Sequence, residues 1–245
     1  MPLTVTATQG GSAFQGLGLQ VKVLTGAEPA ASQAGGTGTA AGSAANQVSV
    51  TTTQTGSYVY VALSEGEPAT AAAGCTILGS YSDAVNGGEW YGAIRTVSAT
   101  GTPGAVTVGG NLTSGASFVD IAAAEILAAT SIAEDASSPV YAATSTATAI
   151  TTASFSPPAG SLLVAIVASD GAADGVSDTT MSVADTMSLT WTPLAQAADP
   201  STCYAGIFVA DVPAAAGTVP PARNTGGAPV IVVARTGWRG ANHSR

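Results

Sequence analysis

The stretch that most constrains this chain is residues 154–170, SFSPPAGSLLVAIVASD. A Pro-Pro-Ala-Gly turn delivers the chain into residues 161–168, where seven apolar residues follow Ser161. An apolar run this short, bounded by turn chemistry, predicts a strand buried on both faces rather than a helix. A weaker echo stands earlier in TTTQTGSYVYVALSE, where Gly56-Ser57 opens a strand over 58–63. The echo predicts two similar β units.

Other segments repeat in the same order. Residues 149–155 correspond to 48–53, 189–194 (LTWTPL) to 75–78, Tyr204-Ala205-Gly206-Ile207 to Tyr91-Gly92-Ala93-Ile94, and 230–234 to 118–122. Strand order is kept while loop lengths vary, as in a duplicated sandwich. Many short strands separated by Gly and Pro turns, Asn86-Gly87-Gly88 among them, predict an all-β sandwich or jelly-roll architecture. Residues 3–24 alternate with period two around Gly10-Gly11-Ser12 and read as an N-terminal β-hairpin. The expected organisation is therefore two tandem β-sandwich units. Residues 1–132 hold the hairpin, a Gly/Ala-rich loop and the first sandwich, and 133–245 hold the second.

Two segments resist this pattern. Residues 26–45, GAEPAASQAGGTGTAAGSAA, have the composition of a flexible linker, so an ordered conformation there needs a sheet edge or a neighbouring chain. Residues 117–130 include AAAEILAAT, rich in the best helix former. The gapless match of 116–121 to the β-branched 228–233 favours strand through about Ala124, followed by a turn or short helix over 125–134.

Composition narrows the partners. Hydrophobic residues at 46% supply a core, yet only 9% are charged, against roughly 25% in an average soluble domain. Lys22 is the single lysine, and a net charge of −9 leaves no basic stripe for a phosphate backbone, so nucleic acid is not an expected partner. A surface of Ala, Gly, Ser and Thr suits a protein covered by other subunits, including copies of itself. No signal peptide is read at Met1-Pro2-Leu3-Thr4, and no apolar run approaches the roughly 20 residues of a membrane span. Cys75 and Cys203 are too few for a disulfide framework and read as buried thiols.

Chemistry is sparse. His243, the single histidine, is the third residue from the C-terminal end of the sequence, and no nucleophile elbow, P-loop or zinc-binding helix motif is present. No catalytic residue and no cofactor are assigned, and a non-enzymatic role is expected. Glu89, Asp120 and Glu125 are the strand carboxylates available for glycoside hydrolysis, with Asp120 read as a solvent-facing strand residue instead. Asp170, Asp174 and Asp178, with Asp185 beyond, form an acidic Gly-rich loop that could wrap calcium, but the spacing fits neither EF-hand nor nonapeptide patterns. Trp90 and Trp238 are candidates to stack on a sugar face, as a cell-surface glycan-binding module requires. Against this, Tyr91 and Tyr204 recur at matched positions, which favours packing. Asn111 and Asn242 stand in glycosylation sequons that matter only after secretion.

The opening MPLTVTATQGGSAFQGLGLQVKVLTGA resembles the start of virion structural proteins of actinobacterial tailed bacteriophages, of the minor tail protein kind. SFSPPAGSLLVAIVASDG, LTWTPL, YAGIFVADV and VIVVARTGWRG are similar to their repeated β-sandwich modules. The resemblance implies a β-rich subunit built into or onto the particle, assembled with other virion proteins in the host cytoplasm, without identifying which part; the tail or its tip is the expected place. A capsid decoration protein and a carbohydrate-binding host-attachment module are the alternatives. It carries over no functional residue.

Overall fold

The computed structural model describes residues 2–10, 16–43, 46–84, 89–112, 119–170, 180–198 and 203–214, all within one compact unit, Met1–Ala215. The strands in chain order are β1 (Val5–Gln9), β2 (Leu17–Ala27), β3 (Thr37–Ser43), β4 (Gln47–Thr51), β5 (Tyr58–Glu65) and β6 (Ala69–Ala71). They continue with β7 (Cys75–Asp83), β8 (Glu89–Thr96), β9 (Ala105–Leu112), β10 (Val119–Ile126), β11 (Ala128–Glu134) and β12 (Ala142–Thr144). The last are β13 (Ala149–Thr151), β14 (Leu162–Asp170), β15 (Met181–Asp185), β16 (Thr192–Ala198) and β17 (Cys203–Asp211). The fold is an all-β, sandwich-type assembly of antiparallel sheets.

A five-stranded sheet, β3-β10-β5-β8-β7, and a six-stranded one, β11-β2-β14-β17-β16 with β12 also on β2, lie inside. Two three-stranded sheets, β4-β9-β6 and β13-β1-β15, lie outside. Period-two alternation assigns every face. Tyr60 and Ala62 of β5 join Val164 and Ile166 of β14 in the seam between the inner sheets. Val59, Val61 and Leu63 turn the other way, onto Val48 and Val50 of β4. Leu163, Ala165 and Val167 likewise pack against Leu3, Val5 and Ala7. The described part of unit Met1–Ala215 is four layers deep, with three cores between them.

As the sequence predicts, β14 is buried on both faces, residues 162–168 being no more than 2% exposed. Its leucines, valines and isoleucine each contribute about 1.5–3 kcal/mol by leaving water. Gly56 and Gly160 open β5 and β14 at φ of +85° and +77°, a left-handed turn that glycine adopts without strain. The serines after them, Ser57 and Ser161, are both buried.

The N-terminal hairpin is corrected. β1 pairs with β13 and β15, and β2 with β11, β12 and β14, so the two enter different sheets and do not pair with each other. The reason lies in β2: its first five residues are buried, which demands a partner strand on each side and a layer on each face. The strands also do not divide at residue 132. β11 spans that boundary, and β1 and β2 join strands that follow residue 127.

The turn or short helix expected over 125–134 is strand instead. β10 runs on to Ile126 and β11 pairs with β2. Alanine favours helix locally, but all eight β10 residues are buried between layers, and small side chains are what a sheet sandwiched on both faces accepts. Within the linker-like 26–45, residues 37–43 form β3 and are held by a sheet edge, pairing with β10. A Cβ on Gly38 would sit 2.8 Å from the Ser49 carbonyl, and one on Gly36 would strike the Thr51 carbonyl. The low-complexity composition is thus what close packing of β3 on β4 requires. The strand read at 189–194 begins at Thr192 as β16. Residues 86–88 and 228–234 lie outside the described residues.

Candidate functional site

Three charged side chains, Lys22, Arg95 and Glu134, meet at the seam. Lys22 of β2 and Glu134 of β11 meet at 3.3 Å within one inner sheet, and Arg95 of β8 reaches Glu134 from the other at 2.9 Å. The Tyr60 hydroxyl donates to Glu134 at 3.2 Å, and the Arg95 guanidinium lies 4.7 Å from the centre of the Tyr58 ring. Burial, then the nearby Glu134 charge, pushes the Tyr60 hydroxyl far above its ordinary pKa, so it stays a proton donor. The cluster joins two sheets through one carboxylate. It is a clasp across the seam.

Glu125 of β10 is a second anchored carboxylate, 1% exposed. It accepts from the Thr53 and Gln54 amides at 2.8 and 3.1 Å, the Gly36 amide at 3.0 Å, the Thr53 hydroxyl at 2.9 Å and the Ser57 hydroxyl at 2.5 Å. Burial alone would raise its pKa, but these bonds, Ser57's foremost, outweigh it and hold the carboxyl below the ordinary glutamate range. A general acid needs the opposite shift. Glu125 ties β10 to the turn that starts β5.

Asp120 is corrected: it is fully buried rather than facing solvent, and it accepts from the Gly42 amide at 2.7 Å. Gly42 belongs to the β3 edge, so the carboxylate serves an amide that the bulged β3–β10 register would otherwise leave short of a partner. Asp185 accepts from the Met187 and Leu189 amides and from the Trp191 indole at 2.6, 3.1 and 2.8 Å, closing a turn. Among the described residues no group of three or more His, Cys, Asp or Glu is placed to hold a metal ion. The side chain of Asp170 and all of Asp174 and Asp178 lie outside the described residues, as do the Glu89 side chain, Trp238, His243 and Asn242.

Trp90 is 4% exposed and packs in the core beneath β4 and β9, so its ring faces are covered by protein and it offers no stacking platform. Tyr91 and Tyr204 are buried at matched positions of β8 and β17. Trp191 is half-buried against the core under β1. Neither cysteine is in a disulfide; Cys203 is buried and Cys75 half-buried.

The described surface includes two clefts among others. One of about 310 Å³ is lined by Gln33, Thr37, Glu125, Thr192, Pro193 and Leu194, where the β3 and β16 edges approach. The other, about 600 Å³, is lined mainly by the small residues 96–102 with Val106 and Thr107. Neither presents an aromatic face, and the single carboxylate in the first is already engaged. Among the described residues no helix is long and apolar enough to cross a membrane.

Sequence reasoning did not find the clasp. Its signal was Lys22 alone, the one lysine of the chain, set in an apolar strand. Comparison with family models, curated proteins and solved structures finds no match.

Proposed function

We propose that this chain is a non-enzymatic structural subunit of a bacteriophage virion, of the minor tail or tail-tip kind, that works by being gripped by neighbours. One observation carries the reading: of the charged side chains described, Asp211 alone is exposed, while Glu65, Asp83, Asp120 and Glu125 are buried and the rest are half-buried. A free monomer keeps its distance from others through exposed charge of both signs. Among the described residues the charged side chains other than Asp211 are buried or half-buried, and the exposed positions are mostly Ala, Ser and Thr. That surface suits close contact with other subunits without electrostatic selection. The resemblance of the N-terminal and β14 segments to tail proteins supplies the particle.

Purified virions, probed with antibody to this chain and imaged by electron microscopy, test the proposal. The expected result is a fixed copy number per particle, with label at the tail. Label on the capsid shell would move the chain to the decoration class. Chain found only in the soluble lysate overturns the proposal.

A further inference from the structure

The path of the chain separates its first strands from the rest of their own sheets. Strands β3 to β10, a continuous segment, build one inner sheet and its outer sheet, β4-β9-β6. The other inner and outer sheets are built from β11 to β17, except for their central members. β1 sits between β13 and β15, and β2 between β14 and the β11/β12 edge. The described backbone partners of residues 3–27 therefore all lie beyond residue 126.

The two sheet orders run in parallel: β5, β8 and β7 hold the places of β14, β17 and β16. In that scheme β1 and β2 hold the places of β9 and β10, which follow β8 directly in the chain. The second pair of sheets is thus completed from the far end of the sequence. The whole of β3 to β10 intervenes. Taking β1 and β2 out would leave one gap in each of two sheets, flanked by strands on both sides.

We propose that residues 3–27 are a transferable strand pair, and that the gap they fill accepts the same residues of a second copy of this chain. The contacts made by β1 and β2 are identical whichever chain supplies them, so only the hinge decides between closed and exchanged forms. Residues 28–36 are that hinge. Extended, nine residues span about 30 Å. They are pinned in the closed form by the Ala30 amide on Asp211 at 2.9 Å and by Gln33, which bridges the Glu28 carbonyl and the Leu127 amide. A short flexible tether gives its own chain an effective concentration of order millimolar, so exchange wins only when chains are crowded or held together as they fold. Each chain offers one donor pair and one gap, so exchange yields closed rings or open head-to-tail rows. The inference rests on strand order and stands apart from the virion reading.

The exposed pair Thr6 and Thr151 provides the test. They are partners across β1 and β13, and their hydroxyls lie 2.8 Å apart. In a full chain with Cys75→Ser and Cys203→Ser, one preparation carries Thr6→Cys and another Thr151→Cys. The two are unfolded, mixed and refolded together at rising concentration, then oxidised. The expected result is a disulfide-linked heterodimer that grows with refolding concentration and is absent when the two are mixed after folding. The unsubstituted chain, refolded over the same series, should show dimers and larger species by light scattering. Monomer alone at every concentration, with no mixed disulfide, overturns the proposal.

Discussion

Arg95 and Glu134 meet at 2.9 Å across the seam between the two inner sheets. Lys22 takes the other carboxylate oxygen, so one anion holds two cations from opposite sheets. Side-chain exposures of 14–24% place the cluster between a surface pair, worth little, and a buried one, costly to break. Glu134→Gln leaves both cations facing each other without the anion and should cost about 1–3 kcal/mol in urea unfolding. Adding Arg95→Met should return part of that loss. Strict additivity of the two substitutions would show that the pair is not coupled.

Glu125 gives the fold a defined acid sensitivity. Its folded pKa lies below the ordinary value because hydrogen bonds to the carboxylate exceed the effect of burial. A lowered folded pKa makes the contribution full above the ordinary glutamate pKa of about 4.3 and removes it as pH falls through the lower folded value. Glu125→Gln should therefore destabilise by about 2 kcal/mol at neutral pH, the scale of charged hydrogen bonds lost. The difference from the parent chain should shrink toward zero in strong acid. Thermal unfolding from pH 7 to pH 2 measures it, and a gap that widens in acid would refute the assignment.

The elements legible in the sequence were those whose local pattern and final environment agree. β14 and β5 were readable because an apolar run behind Gly-Ser is both a turn and a doubly buried strand. Tyr91 and Tyr204, read as packing residues, are both buried. β1 and β2 were readable as strands but not as partners of distant strands, because alternation fixes a face and is silent about which edge pairs with which. β11 was missed because alanine propensity is local while its pairing with β2 spans a hundred residues. The clasp was hidden more deeply. Lys22, Arg95 and Glu134 are brought together only by strand order, and no spacing along the chain anticipates them.

Tyr141 packs between the inner sheets, touching β7, β8 and β2. Its hydroxyl donates to the Tyr91 carbonyl at 3.0 Å, and its ring lies over Gly79 of β7 while its hydroxyl abuts Gly18 of β2. A Cβ on Gly79 would lie 2.6 Å from the Tyr141 Cβ, too close to coexist. Gly79→Ala should therefore destabilise by about 1–3 kcal/mol through overpacking. In a Tyr141→Gly background the same change should cost much less, since the obstructing Cβ and ring are both gone. Urea midpoints for the four chains give the coupling. An equal penalty in both backgrounds would place the strain elsewhere.

Leu163 and Val164 are adjacent on β14, both 0% exposed, and face opposite ways. Val164 lies in the seam, with Lys22 as its direct partner on β2. Leu163 lies in the outer core, opposite Val23 and among Leu3, Val5 and Phe155. An aspartate at either position is a charge taken from water, which is severe without a counter-ion. At 164 the Lys22 ammonium is one strand away and can turn from Glu134 to the new carboxylate. At 163 the surrounding side chains are apolar, and the carboxylate must stay protonated or break the layer. Val164→Asp should therefore retain a cooperative transition weakened by about 3–5 kcal/mol. Leu163→Asp should show none at neutral pH. Replacing Lys22 by Met in the Val164→Asp chain should remove the difference, because the rescue depends on that ammonium alone. Circular dichroism during urea titration reads all three, and equal loss at 163 and 164 with Lys22 intact would mean that the lysine does not face the seam.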